Sequence, residues 1–210
     1  MKTFEQIKNV FVESTKAKGV KTLNPIIVAW IGSIGSGKST LARELGRILG
    51  WQVIAKNKIR VMLRERGGGF NPQNTNEVFY AMLGKILKAG GNAILDSDFA
   101  DIKKRKKLEK FAHRFHAKVV YIRAFCDRDI MLGRLLKSRY NQKTNLFSST
   151  IIALREHLRR YPWHYRWSKA RGGSYTLRSF GIKFLAEIDT TKSKNWKNKL
   201  KLAAEKFKKF

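Results

Sequence analysis

The stretch Ile26-Ile27-Val28-Ala29-Trp30-Ile31 runs without a break into Gly32-Ser33-Ile34-Gly35-Ser36-Gly37-Lys38-Ser39-Thr40. An apolar run of this kind suits a strand buried on both faces. The residues after Lys38 open an amphipathic segment, so the glycine-rich turn sits between a strand and a helix, the context that the P-loop pattern requires. Gly32, Gly35 and Gly37 let the backbone turn its N–H groups inward around phosphate oxygens, where a Cβ would obstruct them. Lys38 is a point charge for the β- and γ-phosphates, Ser39 offers a hydroxyl to Mg²⁺, and the first turn of the helix adds its positive dipole end. Gly32, Ser33, Gly35, Ser36, Gly37, Lys38, Ser39 and Thr40 are therefore the expected nucleotide cradle, with ATP and Mg²⁺ as the expected cofactors.

Working outward, short apolar runs alternate with helical segments, the order of a mostly parallel sheet covered on both faces. The predicted strands are 26–31, 52–55, 92–95, 118–124 and 183–188. The predicted helices are 38–49, 58–65, 75–89, 103–115, 129–139 and 149–160, with a last one from about Ser193. The fold class that follows is a three-layer α/β P-loop NTPase fold with a mostly parallel five-stranded sheet. Phe4, Ile7 and Phe11 fall at helical spacing, and Trp196, Leu200, Ala203 and Phe207 do so at the other end. The expected organisation is an N-terminal helix packed on the domain (1–24), a P-loop domain (25–190) and a basic C-terminal helix (191–210). The run Gly67-Gly68-Gly69, followed by Asn71 and Pro72, predicts a mobile connection between two helices.

A chain of 210 residues can bury one full core, and no apolar run approaches the roughly 20 residues of a membrane span. The single cysteine, Cys126, cannot form an internal disulfide, which favours the cytoplasm. The histidines have no metal-ligand spacing, and no protein-ligated transition metal is expected. Charge is the outlier: 45 Lys and Arg against 15 Asp and Glu leave +30, a field that attracts polyanions unless it is simply a solvated basic surface. Arg159-Arg160-Tyr161-Pro162-Trp163-His164-Tyr165-Arg166-Trp167 interleaves cations with rings, a composition that stacks bases or, equally, anchors a core.

Asp96 and Asp98 end the strand after Asn92, at the carboxyl edge of the sheet where α/β folds bind ligands. Asp96 is the expected partner of Mg²⁺ together with Ser39. Asp98 faces the same way if the strand continues, and is either a helix cap or an acceptor-side base; Asp101 is the better cap of the next helix. Arg134 and Arg139 lie on a basic helix, where guanidinium groups are solvated or, beside a P-loop, neutralise a transferring phosphoryl group.

Together, Gly32 to Thr40, the Ile94-Leu95-Asp96 strand, the Val119-Val120-Tyr121-Ile122 strand and the helix of Arg134 and Arg139 form one arrangement. It resembles the P-loop kinases grouped with polynucleotide kinase, gluconate kinase, zeta toxin and chloramphenicol phosphotransferase, over roughly residues 25–190. The resemblance implies γ-phosphate transfer from ATP to a hydroxyl-bearing substrate, with Arg134 and Arg139 closing over ATP; together with Lys38 and Asp98 they are the expected catalytic residues. These kinases often carry Asp-x-x-Arg after the second strand, whereas this chain has Asn57-Lys58-Ile59-Arg60. Asn57 cannot accept a proton as a carboxylate does, so Asp98 assumes that role, positioning alone suffices, or activity is lost. The acceptor expectation is a nucleic-acid 5′-hydroxyl or a small metabolite. The alternative is a nucleotide-binding, nucleic-acid-associated protein with weak or no kinase activity.

Overall fold

The computed structural model describes residues 3–19, 21–67, 71–141, 146–192 and 195–208. In chain order the elements are α1 (Phe4–Ser14), β1 (Ile26–Ile31), α2 (Lys38–Leu49), β2 (Gln52–Ala55), α3 (Lys56–Glu65), α4 (Pro72–Lys88), β3 (Ala93–Asp98), α5 (Ile102–His113) and β4 (Lys118–Phe125). They continue with α6 (Arg128–Lys137), α7 (Thr150–His164), β5 (Tyr165–Ser168), β6 (Ser174–Leu177), β7 (Ala186–Asp189) and α8 (Asn195–Phe207). Five strands pair in parallel in the order β2-β3-β1-β4-β7, as the alternating pattern predicts.

Strand β1 occupies the centre because every one of its residues is apolar and buried. Alternate side chains serve opposite cores. Ile27, Ala29 and Ile31 pack with Ile7 and Phe11 of α1, Ile59 and Leu63 of α3, Phe79 and Leu83 of α4, and Leu108 of α5. Ile26, Val28 and Trp30 pack with Leu41 and Leu45 of α2 and with Leu200, Ala204 and Phe207 of α8. Both terminal helices thus cover the sheet through the spaced apolar residues that predict them.

Asp101 caps α5 by accepting a hydrogen bond from the Lys104 amide at 2.9 Å. Helix α7 runs past its predicted end at Arg160 and through Pro162, because Tyr161 and His164 are buried and tertiary packing outweighs the missing N–H. The predicted last strand is shorter than 183–188 and sits later. The antiparallel hairpin of β5 and β6 lies outside the five-strand expectation. Of the predicted glycine hinge, Gly68 and Gly69 lie outside the described residues, as does Ser193 at the predicted start of α8.

The pairing of β1 with β3 breaks register between Ala29, opposite Leu95, and Trp30, opposite Asp98. Asp96 and Ser97 occupy that irregularity, so the strand delivers its carboxylates to the sheet edge from a distorted segment. At the other end of the strand, the buried Asn92 side chain accepts a hydrogen bond from the Ile26 amide at 2.7 Å and fixes where β1 begins. Asn92→Ala leaves that buried donor unmet and is expected to lower stability by about 1–3 kcal/mol, read as a lower urea midpoint at unchanged slope.

Candidate active site

The P-loop leaves β1 at Gly32, where a Cβ would lie 2.3 Å from the Ala124 carbonyl oxygen of β4; no other residue fits without moving the sheet. Gly35 and Gly37 then adopt φ of +84° and +83°, the left-handed region, before α2 begins at Lys38. The Lys38 ammonium donates to the carbonyls of Gly32 and Ser33, and so lies along the loop. Burial pushes its pKa below the ordinary lysine range, opposed by the charges of Asp98 and Asp96. The Ser33 and Ser36 hydroxyls are buried with no hydrogen-bond partner among the described residues, an arrangement that suits a loop with further oxygens to bind.

Lys38, Ser39, Asp96, Asp98, Asn57 and Arg60 share one cleft of about 550 Å³. Ser39 donates its hydroxyl to Asp96 at 2.9 Å. Burial raises the Asp96 carboxyl above its usual range, while the Ser39 hydrogen bond and the charge of Lys38 pull it back. A hydroxyl and a carboxylate oxygen are the hard donors that Mg²⁺ takes beside phosphate, so the pair fits that ion. Among the described residues no cluster of three or more His, Cys, Asp or Glu could hold a metal by itself.

Asp98 is more constrained than its position in the sequence suggests. It accepts from the Gly32 amide at 3.3 Å, the Ala100 amide at 3.2 Å and His164 Nε2 at 3.0 Å. Burial alone would raise its carboxyl, but the His164 hydrogen bond and charge, with Lys38 and the Gly32 amide, hold it at about 2. A carboxylate has about four acceptor positions, so one remains for a ligand.

The arginines are distributed differently from the expectation. Arg134 donates to the Gly35 carbonyl at 3.1 Å and to the hydroxyl and carbonyl of Thr190, while the Thr190 hydroxyl donates to the Ser36 carbonyl at 3.0 Å. It braces the P-loop against the end of β7 and does not line the cleft. Arg139 is exposed beyond the end of α6 and stays out of the cleft as well. Among the described residues, the arginines that do line it are Arg60 on α3 and Arg159 and Arg160 on α7.

His157 of α7 also touches the loop, its Nδ1 lying 3.0 Å from the Ile34 carbonyl. The ring-rich stretch before β5 divides between core and cleft. Tyr161 and Tyr165 are buried and stack at 4.4 Å, and Tyr165 donates to the Cys126 carbonyl, whereas Trp163 lines the cleft. Lys56, Thr190, His157 and His164 escape sequence reasoning because their roles depend on which elements α7 and β7 meet. The one usable signal is Lys56, which directly precedes the Asn-x-x-Arg departure.

Comparison with solved structures places the fold among P-loop kinases. A protein from Chloroflexus aurantiacus described as a putative kinase superposes with a TM-score of 0.63 at 16% identity, covering 90% of this chain and 98% of that one. A gluconokinase from Sinorhizobium meliloti gives 0.51 at 12% identity, covering 90% and 94%. The Mycobacterium tuberculosis APS kinase, in complex with AMPPNP and APS, gives 0.51 at 15%, covering 89% and 96%. By sequence, uncharacterized proteins of M. tuberculosis and M. bovis are 30% identical over 119 residues; the match takes in 50% of this chain and only 24% of those proteins. The profile of the family described as AAA domain matches residues 27–161, from the first strand of the sheet through the P-loop and into α7. The chain belongs to that AAA domain family.

Proposed function

We propose that the protein transfers the γ-phosphate of ATP to an alcohol oxygen. The observation that carries this reading is the convergence on one cleft of a P-loop lysine, the Ser39–Asp96 pair and an Asp98 carboxylate with one acceptor position to spare. The kinases that share the fold lend it support.

The Lys38 ammonium and the loop amides hold the triphosphate, and the dipole end of α2 adds to the same anion site. Ser39 Oγ and Asp96 would hold Mg²⁺, which when bound offsets charge on the β- and γ-phosphates. The alcohol oxygen forms a bond to the γ-phosphorus as the bond from that phosphorus to the β,γ-bridging oxygen breaks, and ADP leaves with the electron pair. Asp98 accepts the hydrogen bond of the incoming hydroxyl and orients it. With a pKa of about 2 it is a weak base, but a loose phosphoryl-transfer transition state asks for positioning before proton removal. The hydroxyl proton passes to solvent water once the new ester bond has formed. Arg134 acts at one remove, fixing the loop through Gly35 and Thr190.

Transfer of labelled phosphate from ATP to a panel of alcohols tests the reading. Lys38→Ala is expected to reduce transfer by several orders of magnitude with the fold intact, since it removes a cation from the transferring group. Near-normal turnover would end the assignment. Asp96→Asn keeps shape and removes charge, and the Mg²⁺ concentration for half-maximal nucleotide binding should rise about tenfold or more; an unchanged Mg²⁺ dependence would make Asp96 structural. Asp98→Asn should lower kcat by roughly 10²-fold while nucleotide affinity shifts little, a split that a cap or spacer would not produce. Because the folded Asp98 pKa lies below its ordinary value of 3.8, its stabilising contribution is complete above about pH 4 and is lost as pH falls toward 2. The stability gap between the parent and Asp98→Asn should therefore close over that range in acid unfolding curves.

A further inference from the structure

Beyond the P-loop, the cleft is lined by residues of α3, α4, α5 and α7, and the charge they bring is one-sided. Lys56 and Arg60 come from α3, Lys104 and Lys107 from α5, and Arg159 and Arg160 from α7. With Lys38, seven cations line the cleft against two carboxylates, Asp96 and Asp98. Both carboxylates are already engaged, one by Ser39 and the other by His164. Glu156 offsets one more charge by pairing with Arg159 at 2.7 Å and Arg160 at 2.9 Å. A Mg²⁺-nucleotide brings about two negative charges, which leaves an excess of about two positive charges on the acceptor side.

The cations there are poorly matched within the protein. The half-buried Lys56 ammonium donates no hydrogen bond to a described residue and lies 5.1 Å from the centre of the Phe79 ring. Among the described residues, Arg60 donates only to the neutral Asn57 side chain, at 3.3 Å. Arg160 keeps a buried Nε with no partner among the described residues. Burial and the charges of Arg60, Lys104 and Lys107 push the Lys56 pKa down to about 7, the mark of an ammonium lacking an anion. Holding like charges together costs stability unless a ligand repays it, and clusters of this kind sit at binding sites.

We infer that this chamber is the acceptor subsite and that the acceptor is a small alcohol already carrying a phosphate group, held by Lys56, Arg60 and Arg160. The assignment rests on the kinase reading and names its substrate class. Three observations favour a small molecule over a nucleic-acid strand. The cations converge on one chamber from three helices instead of following a track. Lys107 covers Tyr80 at 5.3 Å, and Arg159 and Arg160 cover Trp163 at 5.7 and 6.0 Å, so these two cleft rings already carry cations. Of the other rings in the ring-rich stretch, Tyr161 and Tyr165 are core, and the exposed Trp167 packs on Tyr175 outside the cleft.

The test uses the full chain saturated with Mg²⁺-AMPPNP, so that the P-loop is filled, and titrates inorganic phosphate by calorimetry at pH 8. One saturable site is expected. Lys56→Met, which keeps the stem against Phe79, should weaken phosphate at least tenfold and leave AMPPNP affinity unchanged, which also shows that the variant is folded. Sulfate, which does not titrate at this pH, should bind the parent with uptake of a proton as Lys56 regains its charge, and the variant without it. AMPPNP binding with no saturable phosphate site, or with equal phosphate affinity in parent and variant, would overturn the inference and leave the kinase reading standing. Failure to bind AMPPNP at all would remove the kinase reading and the inference with it. Displacement of phosphate by a 5′-hydroxyl oligonucleotide whose own affinity falls at least tenfold in Lys56→Met would overturn the small-molecule assignment in favour of a nucleic-acid end.

Discussion

The approach of Gly32 to the Ala124 carbonyl is the constraint on which the site depends. With no room for a Cβ there, the chain leaves β1 close against β4 and turns back on itself, so that Lys38 returns to the Gly32 and Ser33 carbonyls. The same Gly32 residue donates its amide to Asp98, which binds the P-loop to the end of β3. Ser39, one residue after the lysine, then falls beside Asp96. A single close contact between neighbouring parallel strands thereby sets the phosphate cradle, the expected Mg²⁺ donors and the acceptor-side carboxylate relative to one another.

Around this junction the loop is braced from outside. Arg134 and Thr190 fasten it to β7, and His157 reaches it from α7. Positively charged groups near an anion site need not touch the anion to matter: Arg134 spends its hydrogen bonds on the Gly35 carbonyl and on the hydroxyl and carbonyl of Thr190, holding the loop amides in position. The division of labour is then between Arg134 of α6, which shapes the loop, and the arginines that line the cleft, Arg60 on α3 and Arg159 and Arg160 on α7. Asp98 and His164 join β3 to α7, so the wall bearing Arg159, Arg160 and Trp163 is positioned by the same carboxylate that accepts from the P-loop amide of Gly32.

The sheet and the loop were legible because their signals are local. The unbroken apolar run of β1, the glycine spacing after it and the alternation of strand and helix each reflect constraints within a few residues. The C-terminal helix was legible for the same reason, through Leu200 and Phe207 at helical spacing. The basic wall of the cleft was not, because it is assembled from α3, α5 and α7, whose meeting depends on tertiary packing. Arg134 and Arg139 drew attention as a pair, yet the fold sends one to a backbone brace and the other to the surface. His164 was hidden in a stretch that reads as base-stacking, and the β5–β6 hairpin was missed although Tyr165 and Trp167 alternate toward partners Leu177 and Tyr175 across a Gly172-Gly173 turn. The expected helix end at Arg160 is overruled by the buried Tyr161 and His164, which carry α7 through Pro162.

A crystal structure of the complex with Mg²⁺ and AMPPNP tests the central claim most directly. The account predicts the triphosphate in the loop from Gly32 to Thr40, the ammonium of Lys38 on the terminal phosphate, Mg²⁺ on Ser39 Oγ, and that phosphate facing Asp98 and the Lys56–Arg60–Arg160 chamber. A triphosphate bound outside the loop, or one whose terminal phosphate points away from that chamber, would contradict it.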